Sequence, residues 1–397
     1  MTRRRRMSIA ILLALAILPL AACGRAIRNK SSVTPTPSTQ ADRVAAIKTS
    51  YAQGTPVPTV PARAPDLRFG VTDMSFIGPD RGWVLGVSGV ASEVLYTNDA
   101  GRTWTKQYVG AIIGSRIDFV DPAHGWVVGR AACTAAPGPG CDGVVLATSD
   151  GGATWKRSSP TAEWLTDVSF VDAADGWALA IQNCNRCQVA HLLRTIDGGA
   201  TWETTVLPSG RYESRPRALF RFGSSGIIVT GSGILVTHDG GTTWIPRANG
   251  CSAASFLSND WFADPLHGWT ICEDGKAGGT TAEKFVYATA DGGSSWRLRS
   301  EYMFDAATPP AGVGPAPAPG ATDIVFASAS NGWLSTELGL YSTADGGSSW
   351  ARIWSSDANF GRLQFLNDRV GFAAMNYTSF AVTVDGGADW QVRTPLP

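Results

Sequence analysis

Charge is scarce in this chain. Lys and Arg number 33, Asp and Glu 33, and together they make up 17% of 397 residues. No run of one sign interrupts the body of the chain. This excludes the basic stripe that nucleic acid requires and the solvated composition of a disordered polyelectrolyte. Histidine is nearly missing, at four residues. His124 and His267 precede Gly-Trp pairs, His238 falls inside a turn motif and His191 on a strand, too scattered for a proton relay or a metal cluster. Long apolar helical stripes are also lacking, which excludes a helical bundle. What abounds is 45 Gly, 23 Pro and 15 Trp within a 44% apolar composition, the mark of many short strands joined by turns.

The N-terminus stands apart. Arg3 to Arg6 form a positive cluster, Ile9 to Leu20 an apolar run short for a membrane span, and Leu20-Ala21-Ala22-Cys23 a small-residue site ending in Cys. The pattern resembles a bacterial lipoprotein signal. The resemblance implies a signal peptide over 1–22, cleavage before Cys23, lipidation of its thiol, and an extracytoplasmic, membrane-anchored protein. An uncleaved anchor would export the first folded domain all the same. Residues 23–66 carry Ser, Thr and Pro without periodicity, including Thr34-Pro35-Thr36-Pro37 and Pro56-Val57-Pro58. They read as a flexible tether, about 35 Å end to end.

Residues 67–397 are one internal repeat. A Phe followed six residues later by Gly occurs seven times: Phe76/Gly82, Phe119/Gly125, Phe170/Gly176, Phe220/Gly226, Phe262/Gly268, Phe326/Gly332 and Phe365/Gly371, with Trp following in five copies. A second motif, Thr-x-Asp-x-Gly-x-x-Trp, comes after each, carrying Asp99, Asp150, Asp197, Asp239, Asp291, Asp345 and Asp385. It resembles the Asp-box, a turn between the third and fourth strands of propeller blades. The Asp can accept backbone N–H bonds, the Gly can take positive φ, and the Trp covers the hairpin. A calcium loop needs several oxygens where each copy offers one essential carboxylate, so no metal is expected.

The residues up to the Phe make strand A and those from the Gly strand B; the second motif joins strands C and D. Such a meander buries its faces only against like neighbours. The fold expected is all-β, a seven-bladed β-propeller of four-stranded antiparallel blades. Blade seven already owns a strand D at Trp390 to Arg393, which leaves ring closure open. The segment near Tyr51 to Pro61 could supply an outer strand and is not counted on for one.

Spacing then separates two faces. Phe to Gly is always six residues and Thr to Trp always seven, whereas Phe to Thr runs from 17 to 29 and Trp to the next Phe from 15 to 30. All length variation falls in the B-to-C and D-to-A connections, which share one face of an up-and-down blade, and binding residues are usually placed on such loops. Cys133, Cys141, Cys184, Cys187, Cys251 and Cys272 all map there. In an exported protein they read as disulfides, with proximity favouring 133 with 141, 184 with 187 and 251 with 272. A redox role for Cys184-x-x-Cys187 lacks its strand-to-helix context, and zinc lacks a second pair.

An enzyme would need more than the motifs supply. A sialidase-like reading requires an Arg-Ile-Pro signature that is missing, and the one obvious acid pair, Glu273 with Asp274, is adjacent on a strand and points apart. A carbohydrate-binding or glycoside hydrolase propeller is the alternative reading.

The full unit, clearest at Phe170-Val171-Asp172 with Gly176-Trp177 and Thr195 through Trp202, resembles the repeat of the photosystem II stability and assembly factor family. The resemblance covers 67–397. It implies a non-enzymatic seven-bladed propeller, without cofactor, that holds membrane-protein subunits or their intermediates through a face bearing an Arg patch. The position three before each Phe departs from that patch, reading Asp73, Arg116, Asp167, Arg217, Asn259, Asp323 and Arg362. This is either a ring of ion pairs at the channel mouth or a polar ligand site. Arg211, Arg215 and Arg217 still cluster before blade four. Trp164, Trp261 and Trp354, outside the repeat and in or beside D-to-A connections, are aromatic candidates for partner contact. The expectation is a monomeric protein binder that catalyses nothing, with Arg116, Arg211, Arg215, Arg217 and Arg362 beside the three Trp as contact candidates.

Overall fold

Strands this short are stable only when packed on both faces, and the repeat provides the packing. The computed structural model describes residues 69–393 apart from 89–90, 133–141, 185–186, 206, 208–215, 232, 253–254, 275–282, 303–312, 318–319, 337–338, 355–357, 359 and 376–377. Cys23, the signal and the tether, Cys133, Cys141, Arg211 and Arg215 lie outside the described residues. The rest is all-β: seven antiparallel sheets, each with four strands in sequence order, form the blades of a β-propeller. Blade one runs as strand A (Phe69–Phe76), B (Gly82–Ser88), C (Ala91–Thr97) and D (Thr105–Gly110).

The Phe/Gly-Trp motif is the joint between blades. In six blades the Phe pairs directly with the Gly six residues on. A Cβ on that Gly would lie 2.2–2.4 Å from the Phe ring, so only Gly lets the ring lie flat over strand B. In five of these six blades the other ring face takes an aromatic from the preceding blade. Trp83 stacks on Phe119, Trp126 on Phe170, Trp269 on Phe326 and Trp333 on Phe365, with centroids 3.4–3.6 Å apart. The four Trp are buried in these stacks, at 0–3% exposed. The same Trp donates from Nε1 to a turn carbonyl of the next blade: Trp126 to Gly198 at 2.8 Å, Trp333 to Gly386 at 3.0 Å.

Ring closure uses the same device and, among the described residues, no borrowed strand. Blade seven keeps its own strand D (Gln391–Arg393). Phe372 stacks on Phe76 at 3.6 Å, and the Gln364 amide clasps the Phe76 backbone, accepting from its N–H at 2.8 Å and donating to its carbonyl at 3.0 Å.

Two features depart from the repeat as read in sequence. Blade five has a fifth strand (Gly314–Pro315), parallel to its strand D (Arg297–Tyr302) and drawn from the connection to blade six. In blade four the A-to-B turn is not constant. It tightens so that Gly226 pairs with Arg221, and Phe220 pairs with Ile227. Strand A therefore advances by one residue, and Arg221 occupies the place of the Phe. Its guanidinium lies 4.3 Å from the Trp177 ring centroid and pairs with Asp175. The six-residue spacing from Phe220 to Gly226 concealed this shift.

Cys251 and Cys272 are disulfide-bonded, tying the connection that enters blade five to its strand B. The backbone places Cys184 opposite Cys187 across the blade-three hairpin.

Candidate functional site

Strand A is the innermost strand of every blade, so one edge carries backbone groups with no neighbouring strand. Each blade's polar side chains satisfy the next blade's edge. Ser75 Oγ accepts from Phe119 N at 3.0 Å, and Asp118 Oδ2 accepts from Phe170 N at 2.8 Å. Asp73, Asp167 and Asp323 accept from Ile117 N, Leu219 N and Leu363 N at 2.8–3.0 Å. All seven A strands carry a register irregularity just before these positions, which re-aims side chains inward.

These side chains surround a central cavity of about 410 Å³. Its wall includes Asp73, Arg116, Asp118, Asp167, Arg217, Asn259, Asp260, Asp323 and Arg362. The mixed ring does form ion pairs: Arg116 Nε to Asp167 at 3.2 Å, Arg362 Nε to Asp73 at 3.1 Å and Arg362 Nη1 to Asp323 at 3.7 Å. They run along the wall and leave the cavity open. The carboxylates are buried, with Asp73, Asp167 and Asp323 each 5–6% exposed, whereas the arginines reach solvent. Blade four breaks the ring: the shift puts Ala218 where the others have Asp, Arg or Asn, and Arg217 becomes the irregular residue itself. Arg217 stays on the cavity wall, is exposed, and donates to the Leu257 carbonyl of the next blade.

Two wall residues escaped the sequence reading. Asp118 is pushed up to about 7 by burial, with Asp167 and Asp73 opposing its charge. Asp260 is pushed up to about 6 by burial, offset in part by Arg217, and its Oδ2 has no hydrogen-bond partner among the described residues. It sits two before Phe262, where other blades carry Met74, Ile117, Val168, Ile324 and Leu363. An acid at a repeatedly apolar position was the available clue.

The remaining candidates fall elsewhere. Trp164 Nε1 donates to Ser115 Oγ at 2.9 Å, with the Arg130 guanidinium 5.5 Å from its ring. Trp261 lines the cavity but donates to the Phe326 carbonyl at 2.9 Å, bracing blades five and six. Trp354 is a correction: it lies within strand D of blade six, 2% exposed, against Phe360 and Trp390, and offers no surface to a partner. Glu273 faces Lys284 across the blade-five sheet. Burial lowers that lysine to about 8, against the pull of Glu273.

Most of the cavity wall lies in the last four residues of strand A, toward the A-to-B turns rather than the start of the strand. Those turns meet the Thr-x-Asp turns, with Ala100 N donating to the Asp80 carbonyl and Gly198 N to the Ala174 carbonyl, both at 2.9 Å. In blade three Asp197 accepts from Thr195 Oγ1, Thr201 N and Thr201 Oγ1 at 2.5–2.9 Å. Gly198 and Gly199 adopt φ of 72° and 88°. Hydrogen bonds donated by Thr201 hold Asp197 down at about 2, and Asp99, Asp150, Asp239 and Asp291 are held there likewise. These carboxylates are occupied by their own turns.

No protein-family model and no curated protein sequence matches the chain. Solved structures do. YCF48 bound to D1 peptide is 21% identical with a TM-score of 0.54, over 86% of this chain and 100% of its own. YCF48 from Cyanidioschyzon merolae is 18% identical with a TM-score of 0.54, over 84% and 97%. An ancestral GH74 enzyme is 13% identical with a TM-score of 0.61, over 83% of this chain and 47% of that enzyme. What these likenesses share is the propeller fold.

Proposed function

We propose that the chain is a non-enzymatic, extracytoplasmic propeller, anchored through a lipidated Cys23, that binds an extended protein segment at the face of the B-to-C and D-to-A connections. It would act as a stability or assembly factor for a membrane complex, and its Thr-x-Asp turns would be Asp-boxes with a purely structural role. The observation that carries the reading is the match over the full length of YCF48, a propeller recorded with a peptide bound. Two features of the chain agree with it. The Cys251–Cys272 bond suits an oxidising compartment. Arg116, Arg217 and Arg362 converge on the cavity wall, with Arg211 and Arg215 in the connection just before. Backbone carbonyls and acidic side chains of a peptide are the ligands such arginines hold best. The likeness to the GH74 enzyme favours a carbohydrate ligand as second reading, since the same cavity holds a carboxyl raised to about 7.

The test is crosslinking in native membranes followed by mass spectrometry. A membrane-protein segment crosslinked to the face of the B-to-C and D-to-A connections is expected. Recovery of no protein, together with polysaccharide turnover by the purified chain, would replace this reading with the second one.

A further inference from the structure

Among the described residues, strand D is long in blade one and in blade five, and a further strand covers it in blade five. Strand D has six residues in blade one (Thr105–Gly110) and in blade five (Arg297–Tyr302), against three in blade two (Lys156–Ser158) and in blade four (Ile245–Arg247). The two correspond residue for residue. Each begins just after its motif Trp and has a register irregularity around the third residue past it, Gln107 or Arg299. Both of those side chains reach a turn carbonyl of the next blade, Gln107 to Gly151 at 2.9 Å and Arg299 to Gly346 at 3.2 Å.

In blade five the outer edge is capped. Ser300 pairs with Gly314 and Glu301 with Pro315 in parallel, and Ala316 N donates to Glu301 O at 2.8 Å. The capping segment reads Gly314-Pro315-Ala316-Pro317. Alternate residues of a strand turn their backbone groups to the same side. The backbone nitrogens of Pro315 and Pro317, lacking a hydrogen, therefore face away from the blade, and the backbone groups of Gly314 and Ala316 face the sheet. Such a strand pairs on one side only and cannot recruit another.

In blade one the sheet ends at strand D among the described residues. Val109, which corresponds to Glu301, is 55% exposed where Glu301 is 7% exposed. An apolar residue on a long open edge invites strand addition. The chain before Phe69 contains the same alternation, Thr55-Pro56-Val57-Pro58-Thr59. We infer that residues 55–59 add to the outer edge of strand D of blade one as a fifth, parallel strand, with Val57 N donating to the Val109 carbonyl and Pro56 and Pro58 facing outward.

Direction and reach agree. A strand parallel to D runs toward the face from which strand A starts. Residues 60–68 then cross the blade's width, about 15–20 Å at 4.8 Å per strand, which nine extended residues span.

Amide hydrogen exchange on the full-length chain tests this. Glu301 serves as the covered reference and the outward amides of Lys156–Ser158, in strand D of blade two, as the open one. The Val109 amide is expected to be protected like Glu301. Val57→Pro, which removes the donor, should speed its exchange by about tenfold or more while leaving Glu301 unchanged. Pro56→Ala, on the outward side, should do nothing. The inference is overturned if Val109 exchanges as fast as the open reference. It is equally overturned if protection at Val109 survives Val57→Pro, or appears only as protein concentration rises, since another strand would then hold the edge.

Discussion

Aspartates in the turns and in the channel of this propeller behave oppositely. In the Thr-x-Asp turns they lie at the surface, accept hydrogen bonds from their own turn, and in five blades are held near 2. At the channel, Asp118 and Asp260 are enclosed among other acids and pushed up to about 7 and about 6. The turn aspartates recur in every blade and serve the scaffold. The channel aspartates occur once each, and residues that break the repeat are where a blade does something its neighbours do not. Donated hydrogen bonds win at the turns, and desolvation wins at the channel.

The contrast is sharpest in pH dependence. Because the folded-state value of Asp118 lies above the ordinary value of 3.8, its stabilising share is complete below pH 4 and is lost as pH rises toward 7. Asp118→Asn keeps an acceptor for Phe170 N and removes the titration. Denaturant unfolding of the variant should lose about 2–4 kcal/mol of the decline between pH 4 and 8. An unchanged slope would mean that Asp118 is solvated.

A smaller effect is expected from Asp260→Leu, which restores the apolar residue of the other blades. Stability at pH 8 should rise by about 1–3 kcal/mol, since a buried carboxylate oxygen without a donor is costly. Destabilisation would show that Asp260 supports a contact the other blades lack.

The turns should give the smallest effect, with the opposite sign of pH dependence. Asp197, held near 2, contributes stability above pH 4 that disappears as pH falls toward 2. Asp197→Ala should lower the melting temperature slightly at pH 7 and converge with the parent protein near pH 2. A large loss at neutral pH would place the turn within the cooperative core.

Much of this architecture is legible from repeated residues. Phe76 with Gly82 and Thr97 with Asp99 recur because each blade solves the same packing problem, and recurrence exposes it. Single events were harder to read. Arg221 in the place of Phe was hidden because a one-residue tightening of the turn left the Phe220–Gly226 spacing intact. Asp118 was hidden because its character depends on enclosure by neighbouring blades, whereas Asp260 left one clue, an acid at a repeatedly apolar position. Trp354 looked available because it lies outside the motifs, yet strand D carries it inward against Trp390.

The central claim is that partner binding belongs to the face of the B-to-C and D-to-A connections and the Thr-x-Asp turns are scaffold. The most direct measurement is affinity for the crosslinked partner segment after charge reversal on each face. Arg211→Glu with Arg215→Glu, in the connection entering blade four, should weaken binding about tenfold or more at low salt and less at high salt, with melting unchanged. Arg102→Glu, in the blade-one turn where Arg102 donates to the Asp99 carbonyl at 3.0 Å, should leave affinity as it was. Loss of binding on reversing Arg102, with the blade-four pair silent, would contradict the account and move the functional surface to the turns.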